Sequence, residues 1–156
     1  MSVLPPPAAV AGLDTLGLVQ LSGLVQAVFV RVAERHDLPP VQARMLCVLA
    51  EGARGMAELA RVFGVEKAAL TGLVDRAERR GLAERSPVPG DRRAVRVALT
   101  DAGRRSAATF HAEVTAELDQ LLAPLSPGDR DQFRAAMTTI AQAAGQAGGS
   151  GPCRVC

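Results

Sequence analysis

The stretch Gly64-Val-Glu-Lys-Ala-Ala-Leu-Thr-Gly-Leu-Val-Asp-Arg-Ala-Glu-Arg-Arg-Gly-Leu-Ala-Glu-Arg-Ser-Pro-Val-Pro-Gly-Asp-Arg-Arg93 decides the architecture. Leu70, Leu73, Val74 and Ala77 recur at three- and four-residue intervals, the spacing that stacks side chains on one face of a helix. With those four turned toward a core, Lys67, Ala68, Thr71, Gly72, Asp75, Arg76 and Arg79 point outward. That outward face is small, polar and basic. Gly81 ends the helix, Leu82 to Val88 can run as a strand, and Pro89-Gly90-Asp91 makes a turn. The return strand, Ala94 to Leu99, puts Val95, Val97 and Leu99 on one face and Arg96 opposite.

Working back from Gly64, residues Gly55 to Phe63 form a short helix presenting Leu59, Ala60 and Phe63 inward. Gly64 can take the left-handed conformation that closes it, and Val65 plugs the turn. A short helix, a glycine turn and a second amphipathic helix is the sequence form of a helix-turn-helix. A hairpin with an arginine-rich tip after it is a wing. Short side chains let a helix backbone approach base edges in a major groove, while basic ones meet phosphates.

Composition narrows the partner. A chain of 156 residues with 48% apolar content is one domain, or one domain with arms, and can bury a core. Tyr and Trp are absent and Phe numbers four, so stacking on splayed single-stranded bases is disfavoured and duplex remains. The net charge of +2 is unevenly spread: Arg54 to Arg105 holds twelve basic and seven acidic residues, against six and nine elsewhere. The polyanion-binding surface therefore belongs in the middle. The start, Met1-Ser-Val-Leu-Pro-Pro-Pro7, has no basic segment ahead of an apolar run, and no stretch reads as long and apolar enough to span a bilayer. A cytoplasmic protein with no membrane partner is the expectation.

Around this middle the flanks read as helices. Residues 1–12 form a flexible arm and 13–37 a long helix, Asp14 to Arg35, on which Leu18, Leu21, Val25, Val28 and Val32 make one apolar stripe. Leu16, Leu24 and Phe29 widen the stripe beyond what one neighbour buries, which admits either a core helix or a subunit interface. Leu38-Pro39-Pro40 stops that helix and starts another, Val41 to Glu51, with Val41, Met45, Val48 and Leu49 on its inner side. Thr100-Asp101 caps a helix running to about Leu122 through Ala107, Phe110, Val114, Leu118 and Leu121. Ser126-Pro127-Gly128-Asp129 starts the last helix, whose Phe133, Met137, Ile140 and Ala144 form a seam for another helix. The domains are thus 38–100 in the middle, 101–145 after it, and a glycine-rich tail, 146–156, ending in Cys153-Arg-Val-Cys156.

The pattern resembles the multiple-antibiotic-resistance regulator (MarR) family of bacterial transcription factors. Glu58-Leu-Ala60, Gly64-Val65, Leu73-Val-Asp-Arg76, Arg80-Gly-Leu82, Asp91-Arg-Arg93 and Leu99-Thr-Asp-Ala-Gly103 carry the resemblance, in order, across roughly residues 38 to 122. It implies a mainly α fold with a small β wing: a winged helix-turn-helix flanked by N- and C-terminal dimerisation helices. It also implies a homodimer on a palindromic double-stranded operator, without enzymatic activity and without a cofactor. Carried onto this chain, Lys67, Thr71, Arg76 and Arg79 serve the major groove or its phosphates, Arg92 or Arg93 enters the minor groove, and Asp91 orients them. The chain departs from the family where Glu66, Ala68, Ala69 and Gly72 replace the usual polar or basic residues, which thins direct base reading.

Family members often release DNA on binding phenolic or anionic molecules in a cleft beside the dimer helices. Phe29, Arg31, His36, Met45 and Phe110 are the lining candidates here, each also readable as core packing or surface charge. The cysteines offer a second trigger. Cys47, on the more polar side of its helix beside Arg44, and the Cys153/Cys156 pair are redox candidates. Two cysteines do not complete a tetrahedral site, so no metal is assigned. Two further readings stay open: a thiol oxidoreductase using the terminal Cys-x-x-Cys, and a winged-helix dimer acting through protein partners.

Overall fold

A computed structural model describes residues 13–147, with the side chains of residues 13, 14, 92, 93 and 145–147 left outside the description. The arm and the tail, including Cys153 and Cys156, lie outside the described residues. In order the elements are α1 (Leu13–Arg35), α2 (Pro40–Ala50), β1 (Arg54–Gly55), α3 (Met56–Phe63), α4 (Lys67–Arg79), β2 (Ala83–Val88), β3 (Asp91–Leu99), α5 (Asp101–Leu121) and α6 (Pro127–Ala147). The strands form one antiparallel sheet in the order β1-β3-β2.

The turns follow from a few residues. Pro40 opens α2, where its missing N–H is no loss, and the Pro39 carbonyl accepts from the amides of Gln42 and Ala43. Gly64 closes α3 at φ 62°, and the amide of Val65 reaches back to the Ala60 carbonyl, so two of the helix's orphan acceptors are met. Thr100 does three things at once. Its Oγ accepts from the Gly103 amide at 3.0 Å, the same hydroxyl donates to the Gly81 carbonyl at 2.6 Å, and its amide donates to the Leu82 carbonyl at 3.2 Å. The end of α4, the base of the sheet and the start of α5 meet on that one side chain. Ser126 caps α6 as its position before Pro127 predicts, accepting from the Asp129 amide at 3.2 Å.

The core is shared by all layers: Val28 and Val32 of α1, Met45, Leu46 and Leu49 of α2, Leu59 of α3, Leu70, Leu73 and Val74 of α4, Val97 and Leu99 of β3, and Phe110 of α5. Three sequence expectations change. The two-residue strand β1, pairing Arg54 with Val97 and Gly55 with Arg96, takes the place assigned to the beginning of α3. It is too short to show any alternation. β3 begins at Asp91 and not at Ala94, leaving Pro89 and Gly90 as the turn, with a register shift between Pro87 and Val88. Finally, Thr15–Arg35 is long and apolar enough, by length and composition, to cross a membrane, which the sequence reading had excluded. The stretch between Asp14 and Arg31 carries no charge. Its inner residues Val28 and Val32 are buried, while Leu16, Leu18, Val19 and Leu24 are more than half exposed.

Candidate nucleic-acid interface

Helix α4 buries Leu70, Leu73, Val74 and Ala77 and leaves Lys67, Ala68, Arg76 and Arg79 exposed, with Thr71, Gly72 and Asp75 half-buried beside them. The Thr71 hydroxyl donates back to the Lys67 carbonyl at 2.8 Å, so it meets a partner as an acceptor. Lys67, in the first turn of α4, shares a depression of about 540 Å³ with Gly55, Met56, Ala57 and Ala60 of α3 and Val88, Ala94 and Val95 of the sheet. The start of α4 and the hairpin therefore face one groove, as a reader of a duplex requires. Asp91 is exposed at the start of β3. Arg92 and Arg93 follow it in the strand, and their side chains lie outside the described residues. Neither α3 nor α4 has a side-chain N-cap; Glu66 stands at the cap position of α4 without bonding it.

Sequence reasoning missed the residue that ties the hairpin to the helix. Arg85 of β2 donates its backbone N–H to Glu78 Oε1 at 2.9 Å and its guanidinium to the second carboxylate oxygen of Glu78. The same guanidinium lies 2.7 Å from Asp75 Oδ1 and 3.4 Å from the Thr71 carbonyl. A second unforeseen bond runs from the buried Gln42 amide to the Leu73 carbonyl at 2.8 Å, joining α2 to the middle of α4.

The ligand and redox candidates fall into place differently. Phe29 packs edge-on against Phe110 at 5.0 Å, and His36 against the same ring at 5.9 Å. Met45 and Phe110 are sealed in the core. Arg31 is turned to Glu117 at 2.9 Å, where Arg35 joins it at 2.5 Å, and His36 Nε2 lies 3.1 Å from Glu113. These contacts bring Phe29, His36 and Phe110 together beside α1 and α5, while none of them joins Arg31 or Met45 to the cluster. Cys47 does not occupy a polar side: it is buried in the core, because α2 packs against α1, α5 and β3 at once. Arg44 is turned away to the Val62 carbonyl and the Phe63 ring. Cys47 and the Arg44 guanidinium are therefore not brought together as the sequence expectation had them.

The bonds from Arg35, and then from Arg31, hold the Glu117 carboxyl below the usual carboxylate range. A lowered folded value means that the pairing stabilises above the unfolded value, about 4.3, and is lost as pH falls through the folded one. Glu117→Gln should therefore narrow the difference between urea midpoints at pH 7 and below pH 4. An unchanged difference would assign the acid sensitivity to other carboxylates.

Comparison with known proteins completes the site. Residues 36–94 match the model of the MarR family. Over that middle stretch the chain is similar to the MarR family. Over 78 residues it is 40% identical to the HTH-type transcriptional repressor NicR of Pseudomonas putida, covering 49% of each chain. The aligned part thus spans about half the length of that curated relative. Among solved structures, RV1404 from Mycobacterium tuberculosis superposes with a TM-score of 0.75 at 26% identity, over 93% of this chain and 99% of that one. NadR in complex with 4-hydroxyphenylacetate shares the fold, with a TM-score of 0.65 at 23% identity over 90% of this chain and 97% of its own. The fold class read from the sequence, mainly α with a small β wing, is the one these solved structures share.

Proposed function

We propose that the chain is a cytoplasmic, homodimeric regulator, in the main a repressor, that binds a palindromic DNA duplex and leaves it when a small molecule binds. The observation that carries this reading is the shared groove between Lys67 at the start of α4 and the arginine-tipped hairpin, on the basic middle of the chain. Lys67, Thr71, Arg76 and Arg79 serve the major groove and its phosphates, and Arg92 or Arg93 the minor groove, steadied by Asp91. With Ala68, Ala69 and Gly72 on the reading face, selectivity leans on thymine methyl contacts and on duplex shape. The similarity to NicR, a named repressor, supports the sign of regulation.

The release step that fits best is a phenolic or anionic effector beside α1 and α5, at the cluster of Phe29, His36 and Phe110, with Arg31 and Met45 as the further candidates. NadR, solved with 4-hydroxyphenylacetate, is a fold relative with such a ligand. Two readers on one duplex sit about 34 Å apart, so a few ångströms of movement decide whether both engage. Oxidation as a trigger would have to act through Cys153 and Cys156, since Cys47 is buried.

The reading is tested by fluorescence anisotropy with the duplex immediately upstream of the chain's own gene, titrated with salt. Arg92→Ala should weaken binding by about 1 to 3 kcal/mol and reduce the salt slope by about one. An unchanged slope would remove the wing from the interface, and no binding by wild type would remove the proposal.

A further inference from the structure

The outward face of α4 carries one carboxylate, Asp75, and a second, Glu78, stands half-buried at its margin, among Lys67, Arg76 and Arg79. Beside a polyanion each is a liability unless something covers it. Arg85 covers both. It reaches them from β2, the strand that pairs with β3, and its backbone amide is bonded to Glu78 as well. Both carboxylates and the arginine are partly buried, with Arg85 27% exposed, so the charges act on one another through less solvent than a surface pair does.

This geometry also restricts movement. The base of the hairpin is held by the pairing of β3 with β1 and by Ala83, Val97 and Leu99 in the core, while the strands beyond it take their position from what they pack against. The Thr100 hydroxyl holds the sheet base to Gly81, and Arg85 holds its second contact, at Thr71, Asp75 and Glu78, partway along the helix. Added to the attachments at the sheet base, a contact partway along α4 limits rotation of the hairpin against the helix. A guanidinium serves better here than an ammonium, because its planar fork can meet two carboxylates and a carbonyl together.

We infer that Arg85 is a positioning residue for DNA binding: it sets the angle between the hairpin and α4, with Asp75 on the outward face and Glu78 at its margin as its anchors. This rests on the DNA-binding reading above for its consequence, though not for its geometry. The sharp consequence is a sign. On charge alone, Asp75→Asn with Glu78→Gln removes two negative groups from the interface and should tighten binding to any duplex. If the two are anchors, the same double variant binds its upstream duplex more weakly.

The test has two arms. In the first, spin labels at Pro89→Cys and Ala69→Cys, in a chain with Cys153→Ser and Cys156→Ser, report the hairpin-to-helix distance without DNA. The labelled chain is diluted with unlabelled chain so that distances within one copy dominate. The distribution should be narrow with Arg85 present, broad in Arg85→Met and in the Asp75→Asn/Glu78→Gln variant, and intermediate in Arg85→Lys. In the second arm, anisotropy against the upstream duplex should show Arg85→Met weakened about tenfold or more. The double carboxylate variant should also be weaker than wild type for that duplex, while gaining for an unrelated duplex of equal length. Circular dichroism on each variant excludes unfolding as the cause, and Arg85→Lys supplies a milder change should Arg85→Met lose its fold. Equal distance distributions in all four proteins, or tighter binding to both duplexes by the carboxylate variant, would overturn the inference. If wild type fails to bind DNA, the first arm still decides the geometry.

Discussion

Gly103→Ala is expected to lower the unfolding free energy by about 3 kcal/mol or more, at the upper end of the penalty for overfilling a packed site. A Cβ on residue 103 would lie 1.9 Å from the Leu82 carbonyl oxygen and 2.8 Å from its carbon, with Leu99 Cδ2 at 3.2 Å. The obstacle is backbone, so it cannot swing aside as the end of a long side chain can. Leu82 is also held in place: its carbonyl accepts the Thr100 amide, and its own amide donates to the Ala77 carbonyl at 2.9 Å. Moving it loosens the end of α4 and the base of the sheet together. Alanine gains back only about 1 kcal/mol of helix propensity over glycine. Thermal unfolding at one fixed protein concentration should show the midpoint falling by about 6 to 12 °C, taking roughly 2 to 4 °C per kcal/mol for a chain of this size. The control is Gly72→Ala. There an added Cβ meets nothing within 4 Å, in the middle of α4, so the same chemical change should stabilise by about 0.5 to 1 kcal/mol. If both glycines respond alike, the close approach of α5 to the sheet base is not as described.

What could be read from the sequence, and what could not, divides by physical range. The inward set Leu70, Leu73, Val74 and Ala77 was legible because a helix repeats every 3.6 residues and one face had to be apolar. Gly64 and Thr100 were legible because caps are local: the cap residue and the group it satisfies lie within a few positions. Long-range polar contacts were not. Arg31 and Arg35 meet Glu117 across 86 and 82 residues, and nothing in either helix alone selects that pairing. Arg85 was hidden for the same reason, since a lone arginine in a strand gives no sign of the helix it will face. Cys47 failed differently. A helix packed on several sides loses the amphipathic contrast on which the inner and outer assignment depends, so its neighbour Arg44 gave it a polar look that the fold removes. At the candidate interface the pattern reached the backbone positions of the hairpin tip. The coupling between hairpin and helix needed the third dimension.

The expected result with the largest effect on function comes from the outer helices. α1 leaves Leu16, Leu18, Val19 and Leu24 between 52% and 65% exposed, and α6 leaves Met137 at 44% and Ile140 at 60%. Apolar faces of this extent on a free chain mark a surface that something covers. Under the proposed function that cover is a second copy, joined about a two-fold axis, so that any substitution is made twice in the interface. Burying one such side chain contributes about 1.5 to 3 kcal/mol. Leu18→Glu together with Ile140→Glu removes four of them from the pair of chains and inserts four carboxylates. The dimer should lose about 6 kcal/mol at the least, on the order of 10⁴-fold in its dissociation constant. Analytical ultracentrifugation at micromolar concentration should show wild type as a dimer and the variant as a monomer, or as an unfolded chain if one copy cannot stand alone. Binding to the upstream duplex should fall with it, because two half-sites are then engaged independently and the second reader no longer acts at high effective concentration. Since Thr15–Arg35 also satisfies the length and composition of a membrane span, the same experiment without lipid separates the two covers. A wild-type chain that is dimeric in plain buffer has its apolar face answered by itself. One that is monomeric there and sediments with added vesicles has it answered by a bilayer, and the paired readers on one duplex would have to be abandoned.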